Sequence, residues 1–368
     1  MKTWLECFPH WADPVAVHPA LRDVLDEGPR DEDELDFARF VDALPKTEVH
    51  VHAEAAVPWS FYASLGDGPA LPPAGQPFRD FHDFGERWLG NIARIRSSSD
   101  YAALARAFVA HRRALHIVAT DCHVSLLDTS VYRPRFAPGI PPLDLGESLR
   151  AFVTGLREAM AEAPGIDVRV IVDLVHLAGQ ADLDAAYRAL RPFVGSADNR
   201  DARGDAIVVG IGLGGPERPG RASFFASALA RFRALGLRLD LHSGEQPHVS
   251  PADHRAALKL LRPDRVAHGM RGAPEGFFFE GPIAACPISN VLLGGHAGSL
   301  STHPIGEMVR RGLPVSVSTD DPLLFGTTLV IEHVALRRAF GFDRTFVERD
   351  QERARAQRLA SLRTSPRR

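Results

Sequence analysis

His50 and His52 stand two residues apart in the segment Glu-Val-His-Val-His. On a β-strand, residues two apart face the same way, so two imidazoles side by side at a strand end can bind one metal ion. A His-x-His pair alone is a weak signal, but it recurs in kind. His242 ends Leu-Asp-Leu-His, His268 ends Arg-Val-Ala-His, and Asp320 and Asp321 end Val-Ser-Val-Ser-Thr-Asp-Asp. Small residues follow both histidines, Ser243 and Gly244 after the first and Gly269 after the second, which leaves room for a ligand. Zinc prefers imidazole nitrogen with some carboxylate oxygen, and a catalytic site keeps a position for water. Zinc also brings the pKa of that water down to about 7. Glu245, three residues beyond His242, is the natural proton donor, and His268 is the natural base or water-orienting group.

The elements that must position these groups alternate in kind. Strands are expected at Glu48–His52, His116–His123, Val168–Val175, Ile207–Gly212, Leu237–His242, Arg265–His268, Ile283–Cys286 and Pro314–Thr319. Amphipathic helical stretches lie between them, among them Tyr101–Leu115, Leu149–Ala161, Leu183–Val194, Ser223–Leu235 and Pro304–Arg311. Strands alternating with helices argue for a parallel sheet, and eight is the number that closes a (β/α)₈ TIM barrel, although period alone leaves an open doubly wound sheet available. In a barrel the C-terminal strand ends converge on one face, where active sites of this fold sit.

The expected organisation is an N-terminal helical lead-in over 1–44, an α/β barrel domain over 45–348 and an Arg-rich tail over 349–368, read as a surface helix with a frayed end. Gly/Pro-rich stretches at 66–77 and 133–142 are candidate loops at the pocket rim. His123 and His176, at the ends of the second and third strands, are weaker candidates for lining the pocket. His248, His254, His296 and His303 read as surface or packing residues, and Trp59, Phe61 and Tyr62 as an apolar wall or core.

Composition narrows the function classes. Across 368 residues, a net charge of −3 gives no electrostatic case for a nucleic-acid partner. The 45% hydrophobic and 24% charged fractions are those of a soluble globular protein. No apolar run is long enough for a bilayer, and the opening residues lack a secretory pattern. Cys7, Cys122 and Cys286 are too few and too scattered for a disulfide framework, so a cytoplasmic location is expected. His52-Ala53-Glu54 matches half of the cytidine deaminase signature, but the Pro-Cys-x-x-Cys half is absent. The fourth-strand region, Val-Val-Gly-Ile-Gly-Leu-Gly-Gly, has no lysine to bridge two metals, which favours a single-metal centre.

Taken together, LPKTEVHVHAE, HSGE, RVAHG, CPISN and HPIGEMVRRGLPVSVSTDDPLLFGTTL resemble, in order and spacing from about Leu44 to Leu329, the motifs of the adenosine deaminase family. The resemblance implies one Zn²⁺ per chain held by His50, His52, His242 and Asp320. It implies that Asp320 also holds the attacking water, that His268 orients and helps deprotonate it, and that Glu245 protonates the ring nitrogen. Asp321 would bond the imidazole-ring nitrogen of a purine, and the Gly215 N–H the pyrimidine ring. The implied activity is zinc-dependent hydrolytic deamination of a 6-aminopurine-type base or nucleoside to the 6-oxo product and ammonia. The alternatives are a metal hydrolase of another heterocyclic or C–N substrate, or a non-catalytic member that binds a nucleoside.

Departures from the pattern fall in the segments that contact substrate. The acid after the histidine pair is kept as Glu54, but the glycine that usually follows it is Ala55. The usual Gly-Ile-Asp-Leu-Ala-Gly-Asp-Glu reads GIGLGGPE, so two acids are missing, at Gly212 and Pro216. The chemical groups are retained while the substrate contacts drift, so the substrate need not be adenosine.

Overall fold

A computed structural model describes residues 2–66, 78–296 and 298–360. All eight expected strands form: β1 (Lys46–His52), β2 (Ile117–Val124), β3 (Asp167–Val175), β4 (Val208–Gly214), β5 (Arg238–Ser243), β6 (Arg265–His268), β7 (Ile283–Ala285) and β8 (Val315–Val317). They pair in chain order, each parallel to the next. β8 leads back to β1 through a parallel bridge between Val51 and Asp320. The His52 N–H donates to the Asp320 carbonyl at 3.0 Å, and the Asp320 N–H to the His50 carbonyl at 3.3 Å. The sheet therefore closes as a (β/α)₈ barrel, and its seam runs through residues singled out for chemistry.

Both faces of the strands are covered, so β3 is rich in Val, Ile and Leu, interrupted by Arg169 and Asp173, with every interior residue buried. Three of the helices that cover them start on side-chain caps. Ser97 forms a capping box with Asp100 ahead of the helix Ser98–Ala114, Asp144 caps Leu145–Glu162, and Ser250 caps Pro251–Leu261 with proline at its first position. The stretch 133–142 is only partly a loop: it opens with the short helix Arg133–Phe136, and Arg133 is buried. Of the other rim stretch, 67–77 lies outside the described residues.

The N-terminal segment is less helical than its spacing suggests. It holds a one-turn helix at Trp4–Cys7, 3₁₀ turns at Pro9–Trp11 and Pro19–Leu21, and a full helix only at Glu32–Ala43. Pro9, Pro14, Pro19 and Pro29 remove backbone donors and break the run. Trp4, Phe8 and Trp11 are nevertheless buried, with Phe8 and Trp11 stacked at 4.4 Å.

The C-terminal segment also departs from expectation. The helix Arg344–Gln357 is not a surface helix: Asp350, Gln351, Gln357, Arg358 and Leu359 are buried at the N-terminal mouth of the barrel. Gln351 accepts from the Thr47 N–H at 2.6 Å, Asp350 from the Val317 N–H at 2.9 Å, and Asp121 from the Leu359 N–H at 2.7 Å. One end of the barrel is thereby closed, and the end where the histidines gather is left for function.

Candidate active site

His50 and His52 leave β1, His242 leaves β5, and Asp320 follows β8. Each of the four is buried and presents one ligand atom within 4.8 Å of the others. Asp320 Oδ1 lies 3.4 Å from both His50 Nε2 and His52 Nε2, and His52 Nε2 lies 3.3 Å from His242 Nε2. Both His50 ring nitrogens, His242 Nδ1 and Asp320 Oδ1 are buried without a hydrogen-bond partner. Such a concentration of unpaired donors and acceptors costs about 1–3 kcal/mol per group. A cation at the focus would take one atom from each residue, His50 Nε2 and Asp320 Oδ1 among them, and so remove that cost for the atoms that face it; three imidazoles and a carboxylate are a donor set that zinc accepts. Asp320 and His268 both hold left-handed backbone, with φ of 63° and 67°. Neither is glycine, and strain of this kind, about 1–3 kcal/mol each, gathers at functional sites.

His268 is the next residue inward. Its Nε2 has no hydrogen-bond partner and lies 4.0 Å from Glu245 Oε2. Its Nδ1 is 2.8 Å from Asn290 Nδ2, Asn290 Oδ1 is 3.2 Å from His303 Nε2, and the Ile305 N–H donates to His303 Nδ1 at 3.1 Å. Burial pulls the His268 pKa down to about 4, so the ring is neutral near pH 7. A backbone N–H can only donate, which fixes each link in turn. His303 accepts at Nδ1 and donates from Nε2, Asn290 accepts at oxygen and donates from nitrogen, and His268 accepts at Nδ1. The proton of His268 is left on Nε2, facing the site.

Glu245 is held by its own backbone. Glu217, in the loop after β4, accepts from the N–H groups of Gly244 at 2.9 Å, Glu245 at 2.8 Å and Gln246 at 3.1 Å. Burial, then the neighbouring charges of Asp320 and Glu217, raise the Glu245 carboxyl well above its ordinary range. Burial and Asp320 do the same to Asp321, whose Oδ1 is unpartnered. Glu54, in the turn after β1, accepts from the Ser125 N–H through Oε1 at 2.8 Å and leaves Oε2 buried and unpaired; burial pushes its pKa to about 7. Gly215 follows β4 in left-handed backbone, and its carbonyl accepts from Gln246 Nε2 at 3.2 Å. Trp88, from the helix Phe81–Ile92, sets its ring edge-on to His52 at 5.6 Å and donates from Nε1 to Asp128 at 2.9 Å.

Several of these residues escape a sequence reading. Glu217 sits where the missing acids draw attention, yet it is the acid that remains. Ser289, which donates to Asp320 Oδ2 at 2.7 Å, and Asn290 are visible only as part of CPISN. His303, read from the sequence as a surface or packing residue, is buried. His176 bonds the His242 carbonyl at 3.1 Å and so braces a strand end. His123 lies below the site, between Asp173 and Asp240.

A closed parallel barrel with a buried His/Asp cluster and a buried carboxylic acid at its strand C-termini defines a metal-dependent hydrolase. Residues 45–359 match the family model for adenosine deaminase, and the chain belongs to the adenosine deaminase family, a hydrolase of the deaminase class. An adenine deaminase of Rhodospirillum rubrum is 28% identical over 323 residues, spanning 83% of this chain and 88% of its own. One from Rhizobium leguminosarum is 27% identical over 315 residues, with 81% and 89% covered. Among solved structures, adenine deaminase from Arthrobacter aurescens superposes with a TM-score of 0.68 at 22% identity, covering 88% of this chain and 95% of that one. A zinc-bound amidohydrolase from Burkholderia ambifaria gives 0.68 at 21%, covering 93% and 92%. At these identities the superpositions establish the fold.

Proposed function

We propose that the protein is a mononuclear zinc enzyme that hydrolyses the 6-amino group of a purine base, with adenine as the first candidate and N6-substituted or nucleoside forms as further ones. The observation that carries this reading is the convergence of His50, His52, His242 and Asp320 beside a carboxylic acid, Glu245, that burial keeps protonated. The curated relatives named above, both adenine deaminases, support the choice of base.

In the reaction, water adds its oxygen to C6, the C6–N6 bond breaks, and the amine leaves as ammonia. When bound by the four ligands, zinc supplies Lewis acidity, which lowers the pKa of water to about 7. Glu245 delivers its proton to the ring nitrogen beside C6, making that carbon electrophilic. His268 acts as a donor rather than a base: its Nε2–H, which faces the site without a partner, would stabilise the negative charge that collects on the attacking oxygen. Asp321, whose pKa is raised by burial and by Asp320, would donate to N7, the acceptor of a 9H or 9-substituted 6-aminopurine. Glu217 keeps the turn rigid, so the Glu245 carboxyl stays in place as it changes charge. Trp88 and Asp128 wall the side of the site next to His52.

Turnover to the 6-oxo product, read as released ammonia or, from N6-methyladenine, methylamine, tests the reading with zinc-loaded protein across adenine, adenosine, deoxyadenosine, N6-methyladenine and aminopterin-type heterocycles. Turnover of a 6-aminopurine is expected, with Glu245→Gln lowering it by about 10²–10⁴-fold while the zinc content stays unchanged. Zinc-loaded wild-type protein that releases neither amine from any of them would overturn it.

A further inference from the structure

The inward-facing positions of β4 are Gly210, Gly212 and Gly214, so this strand contributes backbone alone to the barrel interior. Neighbours fill the three spaces. A Cβ at Gly210 would meet Leu359 Cδ1 at 2.9 Å, and one at Gly214 would meet the His242 ring at 3.1 Å. The tightest is Gly212, where a Cβ would lie 2.0 Å from Asp173 Oδ1 and 2.8 Å from His123 Nδ1. No side chain fits there while those two groups stay where they are.

Asp173, Gly212 and Asp240 are register partners on β3, β4 and β5. His123, from β2, bridges the two carboxylates across the glycine: its Nδ1 lies 2.7 Å from Asp173 Oδ1 and its Nε2 2.9 Å from Asp240 Oδ2. The same carboxylates face the two β1 imidazoles on their far side. Asp173 Oδ2 lies 3.2 Å from His52 Nδ1, and Asp240 Oδ2 lies 3.5 Å from His50 Nδ1. Asp240 is anchored by Arg265, which donates to it from Nε at 3.1 Å and Nη2 at 2.8 Å, and Asp173 by the Ser125 hydroxyl at 3.3 Å. All of these residues are buried.

We infer that Asp173 is a positioning residue of the metal centre, setting His52 from behind, and that position 212 must be glycine because Asp173 and His123 occupy the space of its side chain. The argument follows from what a ligating imidazole needs. A carboxylate at Nδ1 fixes the proton there, turns the Nε2 lone pair inward and raises its basicity. Asp173 is the carboxylate within reach of His52 Nδ1. An acid at 212, the residue type that the motif pattern carries at this place, would compete for the same volume. In this chain acids of that layer stand on both neighbouring strands, and the one that faces His52 is Asp173 on β3. The inference rests on the reading of His52 as a ligand.

Zinc affinity of the apo-protein, measured by competition with a chromophoric chelator, tests it, with the visible spectrum of the cobalt-substituted protein and the melting temperature of the apo form as companion readouts. D173A is expected to bind zinc about 10–100-fold more weakly and to shift the cobalt bands. D173N, isosteric and uncharged, keeps an acceptor for Nδ1 and falls between it and the wild type. G212A removes no polar group, yet it should also weaken zinc, because its methyl displaces the Asp173 carboxylate. In the D173A background the G212A penalty should largely vanish, as expected of two changes that act through one group. If D173A does not fold, D173N and G212A decide. A lower melting temperature with zinc affinity within about two-fold of wild type and unmoved cobalt bands would reduce Asp173 to a structural residue and overturn the inference. Wild-type protein that takes up no zinc would instead overturn the metal-site reading, and this inference with it.

Discussion

At the scale of single residues, the site is governed by which atoms carry protons. The direction of the Ile305–His303–Asn290–His268 chain is set by a backbone N–H, the one member that cannot reverse. Asn290→Asp tests it. A carboxylate accepts from both neighbours, so it would draw the His268 proton to Nδ1 and leave a lone pair facing the attacking oxygen. The kcat of the zinc-loaded enzyme should fall by about 10²-fold, the usual loss for one missing donor to a developing oxyanion, with zinc content unaltered. Activity within a few-fold of wild type would instead make His268 a base. Glu217 acts on a neighbouring residue in the same way. By accepting three consecutive N–H groups it fixes a turn that contains Gly244 at a φ of 76°, and Glu245 is aimed by that turn.

At the scale of elements, one buried cation ties the N-terminal segment to the barrel. Lys46, the first residue of β1, is 1% exposed and donates from Nζ to the carbonyls of Val41 at 3.2 Å, Asp42 at 2.6 Å and Leu44 at 3.1 Å. These carbonyls lie at the C-terminal end of the helix Glu32–Ala43, where a cation also meets the negative end of the helix dipole. Burial pulls the Lys46 pKa from 10.5 down to about 8. Above about pH 8 the folded protein has lost this proton while the unfolded chain keeps it up to its ordinary value. The cost of burying the ammonium is thus fully present below pH 8 and is relieved as pH rises toward 10.5. Relative to Lys46→Met, the wild type should gain unfolding free energy over this window, at up to about 1.4 kcal/mol per pH unit. Denaturant unfolding at pH 7, 8, 9 and 10 measures it, and a flat difference between the two proteins would reject it.

At the scale of the whole molecule, the C-terminal segment is joined to the strands that build the site. Arg358 pairs with Asp121 at 3.0 Å and also with Asp167, Asp121 pairs with Arg265 at 2.8 Å, and Arg265 holds Asp240, which faces His50 and His123. A line of alternating charge therefore runs from the closed mouth of the barrel to the histidine cluster. Arg358→Ala takes one of the two cationic partners from buried Asp121, which keeps Arg265, and one from half-buried Asp167, which keeps Arg169. It should destabilise the protein by about 3 kcal/mol, the scale of a broken buried pair, read as a lower midpoint in urea. A change below about 1 kcal/mol would mean that the arginine is solvated like a surface pair.

The sequence by itself determined the eight strands, their alternation with helices and the chemical groups at their ends. Those signals are local: Val/Ile runs, helical spacing, and small residues after His242 and His268. It did not place Asp173 behind His52, bring Asn290 between His268 and His303, set Glu217 under the Glu245 turn or turn the C-terminal helix inward. These partners stand from 13 to 304 residues apart, where periodicity carries no information, and each is chosen by which strand end faces which once the sheet has closed. Closure itself is tertiary, because the β1–β8 seam through His50, His52 and Asp320 joins opposite ends of the barrel sequence. The glycines of β4 show the boundary most directly. As letters they are one missing acid, at Gly212, and a gap in a motif; in the folded barrel they are the space that neighbouring side chains fill.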